Sequence, residues 1–172
     1  RFWGLETGTR MSIVRLLGGE LFVHSPVALD AETKREVDAI GPVRAIVAPS
    51  RMHHMYIPEG MNAYPRAVAC CGPTLEKKRA DIAWTRVLGD EPEPEWRGEI
   101  DQVFFGARSL ENEVLFYHRK SRTLLCADAI FNLATHSSPI TRIVAVLMGG
   151  RAPGATLLER VLIRDRRAAR EQ

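Results

Sequence analysis

The chain has 172 residues, of which 45% are hydrophobic and 26% are charged, so its size and composition are those of one globular domain rather than a disordered segment. Its formal net charge of +3 argues against a nucleic-acid-binding protein, and no apolar run approaches the ~20 residues that span a bilayer. Three cysteines without C-x-x-C spacing argue against a disulfide framework or a zinc ribbon. We therefore expect a single cytoplasmic domain over residues 1–172, truncated at its C terminus because the sequence stops inside a helical pattern.

The first part of the chain predicts a hairpin, a helix and a buried strand. A Gly-Gly pair separates two runs rich in β-branched and aromatic residues, 12–17 and 20–25, which indicates a tight β-hairpin. A short amphipathic helix is predicted over 31–40, because Asp30 can cap its start and a Gly-Pro pair follows its end. The continuous apolar run 43–48 predicts a strand that is buried on both faces.

The middle of the chain predicts a second strand–helix unit and a surface loop. The run 67–71 is typical of a strand, and its vicinal residues Cys70 and Cys71 are interpreted as small core side chains. A helix is predicted over 74–84, where a proline is acceptable in the first turn. The polar, proline-broken stretch 88–99 indicates a loop.

The last part of the chain predicts three strands, 100–105, 113–118 and 123–128, of which the last two form an antiparallel hairpin. The segment 129–150 contains an apolar stretch that fits either a helix or a strand, and periodicity alone does not decide between them. A terminal helix is predicted over 154–172, with its arginines on a solvated face. Because strands and helices alternate while hairpins also occur, we expect an α/β sandwich with mixed sheets.

Four residues that can ligate metal ions follow or end predicted strands. They are His24, His53, His54 and Asp128. Neutral imidazole and carboxylate oxygen suit zinc or iron, and ligand sites collect at the carboxyl ends of strands in α/β folds. His53 and His54 can serve one site only if the backbone around them is irregular, because neighbouring residues on a regular strand point to opposite faces. Prolines on both sides of this pair make an irregular loop the expectation.

Each candidate also has a structural interpretation. His24 can be a hydrogen-bonded core histidine, and Asp128 can cap the turn that follows it. His118, which ends a strand before a basic turn, is expected at the surface, and His136 is expected in a loop. Glu113 opens a strand and is expected to be exposed.

The order of these segments resembles that of the metallo-β-lactamase fold, and in particular a divergent family within it, domain of unknown function 4336. The segments that carry the resemblance are the hairpin, LFVHSPV, a helix, VRAIVAPSRMHH, YPRAVACCGP, and then DQVFFGARSLENEVLFYHRKSRTLLCADAIFN. They cover nearly the whole chain. The resemblance implies an αββα sandwich with mixed sheets, in which Asp128 matches the metal-bridging aspartate of the superfamily.

The metal-binding motifs of the superfamily are altered in this sequence. The superfamily carries a T-H-x-H-x-D-H loop after the buried strand, and in this alignment His53 matches the second histidine. Arg51 stands at the first histidine, and Met55 and Tyr56 stand near the aspartate and the third histidine. The position of the superfamily's later histidine falls near Ala107 in this sequence. The position of its final histidine would lie beyond the end of the chain.

The resemblance therefore implies a metal-dependent hydrolase with an atypical, mononuclear site. Its ligands would be His53 and Asp128 first, then His54 and His24, which stands where relatives carry a structural aspartate. The ion would be zinc, iron or manganese, and the substrate a small molecule with an ester, lactone, amide or phosphodiester bond. The alternative is a metal-free scaffold that acts as a binding or interaction module. Neither a membrane nor a nucleic acid is expected as a partner, and the sequence does not specify an oligomeric state.

Overall fold

A computed structural model describes residues 10–106 and 112–130, together with the isolated residues 139, 142, 143 and 146. The strands within these residues are β1 Ser12–Arg15, β2 Leu21–His24, β3 Val43–Ala48, β4 Val68–Cys71, β5 Arg86–Val87, β6 Ile100–Phe105, β7 Glu113–His118 and β8 Thr123–Leu125. The helices are α1 Ala31–Ile40, α2 Ile57–Ala63 and α3 Leu75–Lys78. None of these three helices is long and apolar enough to cross a membrane.

The first sheet has five strands in the order β1-β2-β3-β4-β5. β1 and β2 are antiparallel, with Ile13 opposite Val23, which confirms the predicted hairpin. The strands from β2 to β5 are parallel to one another. Since parallel strands end at the same edge of a sheet, His24, Ala48 and Cys71 mark one carboxyl edge.

The second sheet has three antiparallel strands in the order β6-β7-β8, as predicted for this part of the chain. β8 ends at Leu125, so the prediction of a strand over 123–128 is wrong at its end. The backbone amides of Ala127 and Asp128 donate to the side-chain carboxylate of Glu113 in β7 instead of to the backbone of that strand. This side chain competes with the sheet for the amides and ends the strand.

The two sheets pack face to face over an aromatic core. Phe22 of the first sheet contacts Trp96 and Phe116 edge to face, with ring centroids 5.0 Å and 5.2 Å away. These three side chains are fully buried. On the other face of the first sheet, Ile46 belongs to a second core with Val37 of α1 and residues of the other helices. The described residues therefore form a mixed α/β fold with two sheets and a helical layer.

Two predicted segments cannot be compared with this fold. The terminal helix predicted over 154–172 lies outside the described residues, and so does most of the segment 129–150, including His136. The mixed α/β class is confirmed by the two sheets. The full αββα arrangement stays a prediction.

The helix after β4 is shorter than the prediction of 74–84, which is wrong beyond Lys78. Arg79 leaves the helical conformation, with φ −124° and ψ 58°. Its guanidinium donates to both carboxylate oxygens of Asp81, at 2.8 Å and 2.6 Å, and its carbonyl accepts from the indole of Trp84. These contacts stabilise a compact turn where sequence periodicity predicts a longer helix.

The loop after β3 contains a helix that the sequence analysis did not predict. α2 begins at Ile57, and Pro58 lies in its first turn, where a missing amide proton costs nothing. Ile57 is fully buried, and Gly60 lies against Ile46 of the first sheet. The irregular backbone expected around the two histidines is thus confined to the residues between β3 and α2.

The vicinal cysteines are core residues, as predicted. Cys70 lies in the core between the two sheets and Cys71 in the core under the helices, because adjacent strand residues point to opposite faces. Burial raises the pKa of each thiol to about 12. Both thiols are therefore protonated near neutral pH and are poor metal ligands or nucleophiles.

Candidate functional site

Polar side chains from both sheets meet beyond the carboxyl edge of the first sheet. Ser25 follows β2, Ser50 and His53 follow β3, Glu113 opens β7, and Asp128 lies three residues after the end of β8. The backbone ties the two sheets together at this point, because Val114 N donates to Pro49 O at 2.9 Å and Ser50 forms an isolated bridge with Glu113. The site is therefore built on strand ends of both sheets.

His53 lies between a hydroxyl and a carboxylate. Its Nδ1 is 2.5 Å from Ser25 Oγ, and its Nε2 is 3.1 Å from Asp128 Oδ2. The side chains of His53 and Asp128 are 27% and 19% exposed, so this edge of the site reaches the solvent. The structure thus brings together the two residues that the sequence ranks first as metal ligands.

Asp128 is held by hydrogen bonds to both its side chain and its backbone. Ser50 Oγ donates to Asp128 Oδ2 at 3.2 Å, and the amide of Asp128 donates to Glu113 Oε2 at 2.8 Å. The other oxygen of Glu113 accepts a short hydrogen bond from the amide of Ala127. The carboxylate of Glu113 therefore fixes the turn that carries Asp128.

Glu113 is only 1% exposed, so the expectation of an exposed residue is wrong. Burial raises the pKa of its carboxyl above the ordinary range, and the nearby Asp128 adds to this shift. The amides of Ala127 and Asp128 oppose it, because they favour the charged form, and His53 acts in the same direction. The buried carboxyl of Glu113 therefore holds the backbone of Ala127 and Asp128 in place.

His24 is buried behind this centre. Its ring packs against Phe116 edge to face at 5.6 Å, and the side chain is 2% exposed. Burial and, to a smaller extent, the charge of His53 together lower its pKa to about 3, so the imidazole is neutral near pH 7. Nε2 of His24 is buried and has no hydrogen-bond partner among the described residues. A buried polar atom of this kind requires an explanation.

His54 has a different partner from His53. Its Nδ1 is 2.8 Å from Nη1 of Arg79, the residue that follows α3. Its pKa is lowered by partial burial and then by the positive charges of Lys78 and Arg79. Lys78 also donates to the carbonyl of Arg51 at 2.8 Å. The structure therefore joins His54 to a basic group beside the site, whereas His53 contacts Asp128.

Ser25, Ser50 and Glu113 were missed as site residues by the sequence analysis. Serine and glutamate are common surface residues, and their role here follows from contacts between distant segments. Two weak signals were present. Ser25 directly follows a candidate ligand at the end of a strand, and Glu113 is the one acid within the largely apolar run 113–118.

Gly72 supports the backbone of the site at the end of β4. Its amide donates to Ala48 O at 2.8 Å, and a Cβ atom at this position would lie 2.5 Å from the carbonyl oxygen of Pro49. We expect Gly72→Ala to lower the free energy of unfolding by about 1 to 3 kcal/mol, because the Pro49–Ser50 backbone must move.

Urea unfolding of Gly72→Ala beside Gly89→Ala tests this expectation. A Cβ at Gly89 would meet nothing within 4 Å, so this control should stay within about 0.5 kcal/mol of the wild type. Equal stability of the two variants would show that the close approach of Gly72 to Pro49 has no energetic weight.

The predicted ligands do not form a complete metal cluster in this structure. His53 and Asp128 are in contact, His24 is close enough for its pKa to respond to His53, and His54 contacts Arg79. Within residues 10–106 and 112–130, no group of three or more His, Cys, Asp or Glu side chains is arranged to hold a metal ion. The assignment of these four residues as ligands stays a prediction.

Comparison with known proteins identifies the family of the chain. No curated protein matches the sequence. The family described as Domain of unknown function (DUF4336) matches residues 3–169, which is nearly the whole chain. The chain therefore belongs to the DUF4336 family.

Proposed function

We propose that this protein is a metal-dependent hydrolase with an atypical, mononuclear site on a metallo-β-lactamase-like fold. Zinc, iron or manganese would be held by His53 and Asp128. The observation that carries the proposal is the 3.1 Å separation between His53 Nε2 and Asp128 Oδ2. The face-to-face sheets, with both residues beyond strand ends, support the fold relationship.

The separation of these two atoms suits a shared ion. Nitrogen and oxygen ligands bind zinc at about 2.0 to 2.2 Å, and ligands about 90° to 110° apart around one ion are therefore about 2.9 to 3.5 Å from each other. The 3.1 Å between Nε2 and Oδ2 falls within this range. Imidazole and carboxylate are also a common ligand pair for catalytic zinc and for non-haem iron.

His24 is the candidate for a third ligand. Its Nε2 is a buried nitrogen without a hydrogen-bond partner among the described residues, and His53 lies near enough for its charge to lower the pKa of His24. His54 is a weaker candidate, because its Nδ1 contacts Arg79. Positions that the protein does not fill would be taken by water or substrate, as in catalytic metal sites generally.

A bound ion would activate water and substrate, and the residues around it would orient the ligands. A bound ion would polarise the scissile carbonyl or phosphoryl group and make water a stronger nucleophile near neutral pH. The chain's own residues orient the ligands, since Ser50 and Glu113 hold Asp128. His53 and Asp128 are partly exposed, so a substrate would approach from this side, and an ester, lactone, amide or phosphodiester is the substrate class that this chemistry fits.

A metal-free binding or interaction module is the second candidate function. It is favoured by the 3.1 Å distance between His53 Nε2 and Asp128 Oδ2, at which the two side chains can hydrogen-bond to each other directly. The lack of a group of three or more ligand side chains within the described part of the chain points the same way. In this case the site would be a hydrogen-bonded cluster that shapes a binding surface.

Metal titration of chelator-stripped protein separates the two functions. We expect the wild type to bind about one zinc, iron(II) or manganese ion per chain, and His53→Ala and Asp128→Ala to lose this binding because each removes a ligand. His118→Ala and Asp101→Ala are the matched controls, because both residues lie in the second sheet and Asp101 pairs with Arg119 instead. They should bind metal like the wild type.

The result that would overturn the hydrolase is a correctly folded wild type that binds none of the three ions. Hydrolysis of a panel of activated ester, lactone, amide and phosphodiester substrates then completes the test. Activity should appear on adding the bound ion and be lost in the same two variants.

A further inference from the structure

Ser25 occupies a position that the fold constrains strongly. It directly follows β2, its φ of +54° lies in the left-handed region, and the residue is 6% exposed. Only a few per cent of non-glycine residues adopt such a backbone conformation, and it costs free energy. The amide of Ser25 donates to Val47 O at 2.8 Å, which holds the residue against β3. The backbone of Ser25 is thus held between the ends of β2 and β3.

The hydroxyl of Ser25 and the carboxylate of Asp128 contact opposite sides of the His53 ring. Nδ1 is 2.5 Å from Ser25 Oγ and Nε2 is 3.1 Å from Asp128 Oδ2. Two contacts on opposite nitrogens fix both the position and the rotation of an imidazole. Ligand rings in metal sites are commonly oriented by such a partner on the nitrogen that does not bind the ion.

A hydroxyl suits both proton arrangements of this ring. Without an ion, Nε2–H can donate to Asp128 while Ser25 donates to Nδ1. With an ion at Nε2, the ring proton must lie on Nδ1, and Ser25 Oγ then accepts it. The contact with Ser25 therefore persists in both states, and it keeps Nε2 directed at Asp128.

We infer that Ser25 is a positioning residue, which orients His53 so that Nε2 and the Asp128 carboxylate can hold one metal ion. This inference rests on the proposed metal-dependent function. It assigns to Ser25 an effect on metal affinity that acts through His53 rather than through direct contact with the ion or the substrate.

A catalytic nucleophile is the competing role for a serine beside a histidine and an aspartate. The surroundings of Ser25 do not suit it. The hydroxyl is on the buried side of His53, whereas the exposed edge belongs to His53 and Asp128. The amide of Ser25 is used by Val47, and the next residue, Pro26, has no amide proton, so neither can stabilise an oxyanion.

Zinc and cobalt(II) titrations of Ser25→Ala and Ser25→Gly test the inference. Both variants lose the hydroxyl, but glycine adopts φ +54° without strain. We expect the zinc affinity of both variants to fall about 10- to 100-fold, the usual loss when a residue that orients a ligand is removed. If only backbone conformation mattered, Ser25→Gly would keep the wild-type affinity, and that result overturns the inference.

The chain offers a matched control in Ser121→Ala. Ser121 Oγ is 2.7 Å from Nδ1 of His118, which is the same kind of contact in an exposed hairpin. Loss of the Ser121 hydroxyl should leave the zinc affinity of the protein unchanged. In chelator-treated protein, the ¹⁵N resonance of His53 Nδ1 should shift in both Ser25 variants and stay in place in Ser121→Ala, which reports the contact independently of any ion.

The remaining outcomes separate this inference from the proposed function. Zinc binding by the wild type with unchanged affinity in both Ser25 variants overturns the inference and leaves the metal site standing. A wild type that binds neither zinc nor cobalt overturns both. Covalent labelling of Ser25 by a fluorophosphonate in the chelator-treated protein overturns the positioning role in favour of a nucleophile.

Discussion

Replacing Glu113 with alanine should lower the free energy of unfolding by about 2 to 4 kcal/mol, since hydrogen bonds to a charged group contribute about 1.5 to 3 kcal/mol each. The carboxylate accepts from the amides of Ala127 and Asp128, and the residue is 1% exposed. Relief of the burial that raises the pKa of Glu113 offsets part of this loss. The turn that carries Asp128 would also become mobile, so we expect zinc affinity to fall.

The effect can be separated from simple loss of volume. Glu113→Gln keeps the size of the side chain but turns an NH₂ group toward an amide donor, so it should reproduce a large part of the destabilisation. Glu99→Ala is the matched control, because Glu99 also accepts from a backbone amide, that of Leu17 at 2.8 Å, but in an exposed position. It should cost less than about 1 kcal/mol. Urea unfolding measures all three variants, and equal losses at Glu113 and Glu99 would contradict the anchoring role.

The elements that could be predicted are those whose local sequence pattern fits only one type of secondary structure. β3 was predicted residue for residue, because a continuous apolar, β-branched run between a Gly-Pro stop and a proline fits a doubly buried strand. The capped helix α1 was predicted for the same reason, and Asp30 does accept from the amide of Thr33 at 2.8 Å. The end of α3 could not be predicted, because the turn depends on how Arg79 reaches Asp81.

The candidate site was predictable only where residue type is informative. His53 and Asp128 could be named because imidazole and carboxylate groups at strand ends are uncommon without a role. Ser50 could not, because its contact with Asp128 joins residues 78 positions apart. Sequence also does not distinguish the two adjacent histidines, since their difference arises from Arg79, which is 25 residues beyond His54.

Acid should destabilise the protein through His24, and the sign follows from the direction of its pKa shift. Burial, together with the charge of His53, lowers this pKa from 6.5 to about 3, so the unfolded chain takes up a proton near pH 6.5 and the folded protein does not until about pH 3. Between these limits the unfolded state binds more protons, and stability falls with decreasing pH by up to about 1.4 kcal/mol per unit. We therefore expect a loss of about 3 kcal/mol from His24 between about pH 7 and about pH 4.

Comparison of the wild type with His24→Leu isolates this contribution from that of the carboxylates. Leucine has a similar size, does not titrate, and can keep the packing against Phe116. In chelator-treated protein, urea unfolding from about pH 7 to about pH 4 should show an acid loss about 3 kcal/mol smaller in His24→Leu than in the wild type. His118→Leu, at the half-exposed end of β7, is the control for replacing a histidine with leucine outside the core. Parallel curves for the wild type and His24→Leu would mean that the buried imidazole takes up its proton in the folded state, and therefore that it has a partner or a route to water.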